Sequence, residues 1–129
     1  MDNTHQIKVE AAYITLASEN LQVLVEFYRR LLGCPPVTYI PERYAEFAVS
    51  GLRLALFKPN VDHQKEFIGP ASSMSICLEV ESLEDAIETL TSLGYPPPGK
   101  IIHASHGKES YAYDPAKNRL ILHQSNPSD

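Results

Sequence analysis

Short segments in which apolar and polar residues alternate recur along this chain and predict β-strands. The stretches LRLALF at 52–57 and RLILHQ at 119–124 each place leucines on one side of an extended chain. Each also carries an arginine at the same position, Arg53 in the first and Arg119 in the second. Two segments with one pattern indicate that the chain contains a repeat.

The repeated unit is longer than a strand. Apolar positions at helical spacing predict helices that end at Gly33 and Gly94, and Ser18 or Asn20 could cap the first one. YITLASENL aligns with SICLEVESL, LLGCPP with SLGYPP, and RLALF with RLILH, each in the same order. Strands are predicted at 12–17, 37–40, 44–49, 52–57, 76–80, 101–104, 109–113 and 119–123.

This order predicts an α+β fold of two βαβββ modules, about 11–58 and 73–124, within a single domain at 1–129. One strand face is almost purely aliphatic and suits packing under the two helices. Its members are Ile14, Leu16, Leu52, Leu54, Leu56, Ile76, Leu78, Val80, Leu120 and Leu122. The opposite face is mixed, so it is either an ordinary solvent-facing sheet or the wall of a cleft in a cupped mixed sheet.

Composition narrows the class of protein. A net charge of −5 with scattered basic residues argues against a nucleic-acid partner. Two cysteines make neither a disulfide framework nor a zinc-ligand pattern, which favours the reducing cytoplasm. No signal-peptide pattern and no apolar stretch of about 20 residues occurs, so we expect no membrane association.

The paired modules, the first helix SENLQVLVEFYRRLLG and the closing YDPAKNRLILHQ resemble the vicinal oxygen chelate superfamily over about residues 12–124. That group includes glyoxalase I, extradiol dioxygenases and fosfomycin- and bleomycin-resistance proteins. The resemblance implies a cupped sheet around a ligand cavity, with helices outside. It also implies four metal-ligand positions, which fall here on Tyr13, Ala55, Ser75 and Ile121. None of these is a good ligand, so we expect no metal at these positions and no cofactor.

The histidines leave one alternative open. His5 and His63 lie in segments with no other candidate chemistry, whereas His103 and His106 precede a strand and His123 lies on the mixed face. A relocated metal site built from His103, His106 and His123 would need a loop conformation. Otherwise His103 or His106 borders the cleft, or is an exposed loop residue.

The remaining candidate ligand contacts lie on the mixed face and the strand beside it. Apolar contacts are predicted from Tyr13, Phe57, Tyr111 and Ile121. Polar contacts are predicted from Arg53, Ser75, Glu79, Arg119 and His123. Each arginine could instead pair with a nearby acid such as Glu46 or Glu79, Tyr111 could be cross-strand packing, and Cys77 suits a small structural filler.

These features predict a metal-free protein that binds or sequesters a small organic ligand and forms a homodimer, rather than an enzyme. One alternative is a metal-dependent lyase, isomerase or dioxygenase with relocated histidine ligands. Another is a regulatory or protein-interaction module with a vestigial cleft.

Overall fold

The computed structural model describes residues 8, 10–67 and 74–127. The first module contains β1 (Ile14–Ala17), α1 (Leu21–Leu32), β2 (Thr38–Ile40), β3 (Tyr44–Val49) and β4 (Leu52–Phe57). The second contains β5 (Ile76–Glu79), α2 (Leu83–Leu93), β6 (Ile102–Ala104), β7 (Gly107–Tyr113) and β8 (Arg119–Ser125). The α+β class and the repeated βαβββ order are confirmed.

Each module forms its own four-stranded mixed sheet. The strand orders are β1-β4-β3-β2 and β5-β8-β7-β6. The first strand of each module runs parallel to the last, and the other neighbours are antiparallel. The repeat seen in the sequence is therefore a repeat of topology, with the same strand order in both modules.

Both helices begin and end at residues with local signals. The Asn20 side chain accepts the Val23 N–H at 3.4 Å, and the Ser82 hydroxyl accepts the Asp85 N–H at 3.2 Å. Gly33 and Gly94 follow the helices with φ of 71° and 96°, a left-handed conformation that favours glycine. The predicted helix ends are confirmed, and the cap of α1 is Asn20.

The aliphatic strand face forms the core together with the helices. Its buried members are Leu16, Leu54, Leu56, Ile76, Leu120 and Leu122. The helices contribute Leu21, Leu24, Val25, Phe27, Tyr28, Leu83 and Leu90. Ile14, Leu52, Leu78 and Val80 are partly buried against this cluster, so the predicted inner face is confirmed.

A buried polar contact joins α1 to the second module. The Tyr28 hydroxyl donates to Asp114 Oδ2 at 2.6 Å, and both residues are almost fully buried. Asp114 Oδ1 also accepts the backbone N–H groups of Ala116 and Asn118, which shapes the turn between β7 and β8. Burial raises the pKa of Tyr28 well above its ordinary value, and the Asp114 charge raises it further.

Several boundaries differ from the predicted ones. β7 begins at Gly107 and not at residue 109, and β8 continues to Ser125. A short 3-10 helix at Val61–Phe67 follows β4, and the sequence pattern did not predict it. The predicted start of the second module at residue 73 and the histidine at position 5 lie outside the described residues. Among the described residues, neither helix has the length and apolar character needed to cross a bilayer.

Candidate functional site

The four positions implied for a metal by the resemblance do not suit one. Ala55 is buried between Thr15 and Glu46 in the sheet and offers no donor atom. Ile121 likewise has no donor atom, and the Ser75 hydroxyl accepts a hydrogen bond from Arg119 Nη1 at 3.1 Å. Tyr13 is 42% exposed. These side chains do not fit a divalent ion, because a stable site needs three or four converging donors.

In the first module, the mixed face centres on an ion pair. Arg53 Nη2 lies 2.7 Å from Glu46 Oε2, and the Glu46 side chain is only 7% exposed. The Tyr44 hydroxyl donates to Glu46 Oε1 at 2.9 Å, and the Arg53 guanidinium lies 4.6 Å from the centre of the Tyr13 ring. The hydrogen bond to Glu46 raises the pKa of Arg53. The pairing left open in the sequence is therefore the one found for Arg53.

In the second module, hydrogen bonds connect four side chains. His123 Nδ1 lies 2.7 Å from Glu79 Oε1, and His123 Nε2 lies 2.9 Å from His106 Nδ1. Glu79 Oε2 also accepts the backbone N–H and the hydroxyl of Ser125, at 2.9 and 2.7 Å. The Ser125 hydroxyl and then His123 lower the pKa of Glu79. The structure thus brings three predicted site residues together.

The other predicted contacts are more dispersed. Phe57 packs edge-on against Phe67 of the 3-10 helix, with ring centres 5.1 Å apart. Tyr111 is 40% exposed, and His103 is exposed on β6. Cys77 is a free thiol that stays accessible to solvent. Partial desolvation, and then the charges of Glu79 and Glu109, raise its pKa, which disfavours a reactive thiolate.

A groove of about 510 Å³ lies between the modules, beside the free edge of β5. Its wall is mostly apolar, with a few polar groups among the aliphatic ones. It is lined by Leu31, Leu32, Val49, Ser50, Leu52, Cys77, Leu78, Glu79, Val80, Ala86, Thr89 and Leu122. Only Glu79 among the predicted contact residues lines it, so sequence reasoning missed this groove.

The internal repeat explains where the groove lies. Counted from Gly33 and Gly94, Tyr28 of α1 corresponds to Thr89 of α2. The equivalent arginines Arg53 and Arg119 lie opposite Ala48 and Tyr113 in their sheets, so Ala48 corresponds to Tyr113. The residues that follow these two in the chain, Val49 and Asp114, therefore also correspond. The repeat therefore places Thr89 and Val49 at the positions equivalent to Tyr28 and Asp114, and both residues line the groove. A residue-by-residue comparison of the two modules could have located the groove.

The fold and the two mixed faces define a paired-βαβββ protein of the vicinal oxygen chelate type. The chain belongs to the Glyoxalase/Bleomycin resistance protein/Dioxygenase superfamily, whose family model matches residues 11–122. A comparison with curated proteins found no match to this chain.

Solved structures show the same fold at low sequence identity. A fosfomycin resistance protein from Listeria monocytogenes has a TM-score of 0.74 and 16% identity, over 95% of this chain and 98% of that one. A glyoxalase-related enzyme from Fulvimarina pelagi has a TM-score of 0.73 and 22% identity, over 92% and 88%. A lactoylglutathione lyase from Agrobacterium tumefaciens has a TM-score of 0.67 and 18% identity, over 90% and 94%.

Proposed function

We propose that this protein binds a small, mainly apolar organic molecule without using a metal at the four positions common in its superfamily. The groove between the modules carries this proposal. Its volume lies within the range of about 300–1,000 Å³ typical of ligand sites. Its wall of aliphatic side chains with a few polar groups, Ser50, Glu79 and Thr89, also has the composition of such sites.

Two further observations support the proposal, one against catalysis at the superfamily's usual positions and one for a small molecule as the ligand. Ala55 and Ile121 provide no group that could bind a metal or transfer a proton. The names of two similar structures, a fosfomycin resistance protein and a lactoylglutathione lyase, refer to small molecules, which supports a small molecule as the class of ligand.

The test uses a neutral apolar dye, N-phenyl-1-naphthylamine, whose fluorescence rises in an apolar environment. Titrations contain a chelator, so that any signal is independent of metal. We expect saturable binding by the native chain and a loss of at least tenfold in affinity for Thr89→Phe, because the larger ring fills the groove. Thr91→Phe on the same helix is the matched control, since Thr91 does not line the groove.

Failure of the native chain to bind the dye would contradict the proposal, as would equal affinities for Thr89→Phe and Thr91→Phe. A loss of binding in Tyr111→Ala but not in Thr89→Phe would contradict the groove and would assign the binding site to the mixed sheet face predicted from the sequence. A thermal-shift screen of organic compounds then identifies the ligand class, with Thr89→Phe as the reference for groove-specific shifts.

We also propose that the protein is a cytoplasmic homodimer. Tyr13 and Tyr111 are 42% and 40% exposed on the mixed faces, and the short edge strands β2 and β6 expose Tyr39, Ile40 and Ile102. A second copy could cover such apolar surface. Light scattering should give twice the chain mass of 14.4 kDa, and a monomer at micromolar concentration would contradict the dimer.

A further inference from the structure

We propose that His106, Glu109 and His123 bind one first-row divalent transition-metal ion, with Zn²⁺ the best fit. The site lies in the second module and uses none of the four positions common in the superfamily. It goes beyond the proposed ligand binding and does not depend on it.

The three side chains converge on one point. Potential ligand atoms of His106, Glu109 and His123 all lie within 4.8 Å of one another. Glu109 and His123 are direct partners in the β7–β8 ladder, so both side chains leave the same face of the sheet. Two imidazole nitrogens and one carboxylate oxygen, each about 2.0–2.2 Å from the ion, make a three-ligand zinc site with an open position. Ligand atoms around a tetrahedral ion at that distance lie about 3.3–3.6 Å apart, so small side-chain rotations bring the three atoms to that spacing.

Glu79 already holds His123 in the orientation that a metal ligand needs. A carboxylate only accepts hydrogen bonds, so the contact of 2.7 Å requires His123 Nδ1 to carry a proton and donate it. The neutral ring then has its lone pair on Nε2, which points towards His106 Nδ1 at 2.9 Å. Histidine ligands of metals commonly donate their other N–H to a carboxylate in this way. Ser125 fixes Glu79 in turn with two hydrogen bonds.

Gly107 keeps space open beside the ligand atom. A Cβ at this position would lie 3.1 Å from His123 Nε2 and 2.2 Å from the Gln124 carbonyl oxygen. The absence of a side chain lets β7 approach β8 closely and brings His106 over the His123 ring, with ring centres 5.0 Å apart. The charges also suit a cation, because a dication would offset the two carboxylates of Glu79 and Glu109.

The test is a competition titration of Zn²⁺ against a chromophoric chelator, using protein without an affinity tag. We expect one equivalent of Zn²⁺ in the native chain and an affinity at least tenfold lower in His106→Ala and in Glu109→Gln. Glu79→Gln should weaken binding about 10–100-fold by misorienting His123. His103→Ala is the matched control and should bind as the native chain does, since His103 is an exposed histidine outside the cluster.

Absence of stoichiometric binding to the native chain would overturn the proposal, and so would equal weakening by His103→Ala and His106→Ala. Circular dichroism and melting curves confirm that each variant is folded, and the exposed His106 is the substitution with the least structural cost. Co²⁺ gives a second readout, because its visible spectrum should change between the native chain and Glu109→Gln. Dye binding in the presence of chelator stays a separate test of the groove, so either proposal can fail alone.

Discussion

Gly107 sets how closely β7 and β8 approach each other at His123. Its φ of 150° lies in a region that residues with side chains rarely adopt, and Gln124 leaves no room for a Cβ. Gly33 and Gly94 were predictable, because a glycine that ends a helical pattern is a local signal. The requirement at Gly107 was not, because the obstructing carbonyl belongs to a residue 17 positions later.

Substituting Gly107→Ala should destabilise the protein by about 1–3 kcal/mol or more. Both the backbone conformation and the 2.2 Å contact to Gln124 oppose the new methyl group. Chemical denaturation measures the loss. Gly51→Ala is the control, since Gly51 has a φ of 83° with no atom near its Cβ position, and it should cost less. Equal costs would show that the contact with Gln124 relaxes freely.

At the scale of elements, the strands and their faces were largely predictable because period-two alternation is a local property. The residue that each polar side chain contacts was not predictable from the sequence. The sequence allowed Arg53 to meet a ligand or an acid, and only the β3–β4 register places Glu46 beside it. Glu109 was missed as a partner of His123 for the same reason, since its role depends on the β7–β8 register.

The Arg53–Glu46 pair should stabilise the first sheet. Arg53→Met leaves the buried Glu46 carboxylate with Tyr44 as its remaining partner, and we expect the free energy of unfolding to fall. Adding Glu46→Gln should restore part of that loss, because the unpaired charge is then removed. A double-mutant cycle by chemical denaturation measures the coupling. An unchanged free energy of unfolding in Arg53→Met would contradict this role and would favour ligand binding by the Arg53 guanidinium.

For the whole molecule, the repeat predicted two modules but not how they meet. The join depends on pairs that are far apart in sequence, Tyr28 with Asp114 and Phe27 with Tyr95. Neither pair is marked by a local sequence pattern. Thr89 and Val49, the positions equivalent to Tyr28 and Asp114, do not repeat the tyrosine–aspartate hydrogen bond. The groove at Thr89 and Val49 therefore follows from a departure from the repeat, which periodicity alone does not show.

Tyr28→Phe should destabilise the whole protein by about 1–3 kcal/mol, because it removes a buried hydrogen bond to a charged group. Tyr39→Phe is the control and should be nearly neutral, since Tyr39 is exposed. Urea denaturation at neutral pH checks both. A neutral Tyr28→Phe would mean that a solvent molecule or rearranged turn satisfies Asp114 equally well.

The same pair predicts an alkaline loss of stability. The pKa of Tyr28 in the folded chain lies above the value of 10.0 that applies when it is unfolded. Above pH 10 the unfolded chain therefore binds fewer protons than the folded chain, and the free energy of unfolding falls as pH rises. The stability advantage of the native chain over Tyr28→Phe should be full below pH 10 and shrink above it. A constant difference would contradict this assignment.

The Tyr28–Asp114 contact also has a consequence during synthesis on the ribosome. The first module is complete once residue 58 has emerged. Tyr28 of its helix, however, can form its hydrogen bond only after Asp114, 86 positions later in the chain, has been synthesised. At about 5–20 residues per second, residue 114 follows roughly 3–11 seconds later. Phe27 lacks Tyr95 until residue 95 has emerged, and Tyr28 lacks Asp114 for the whole interval, so the nascent chain presents an aromatic surface on which chaperones can act.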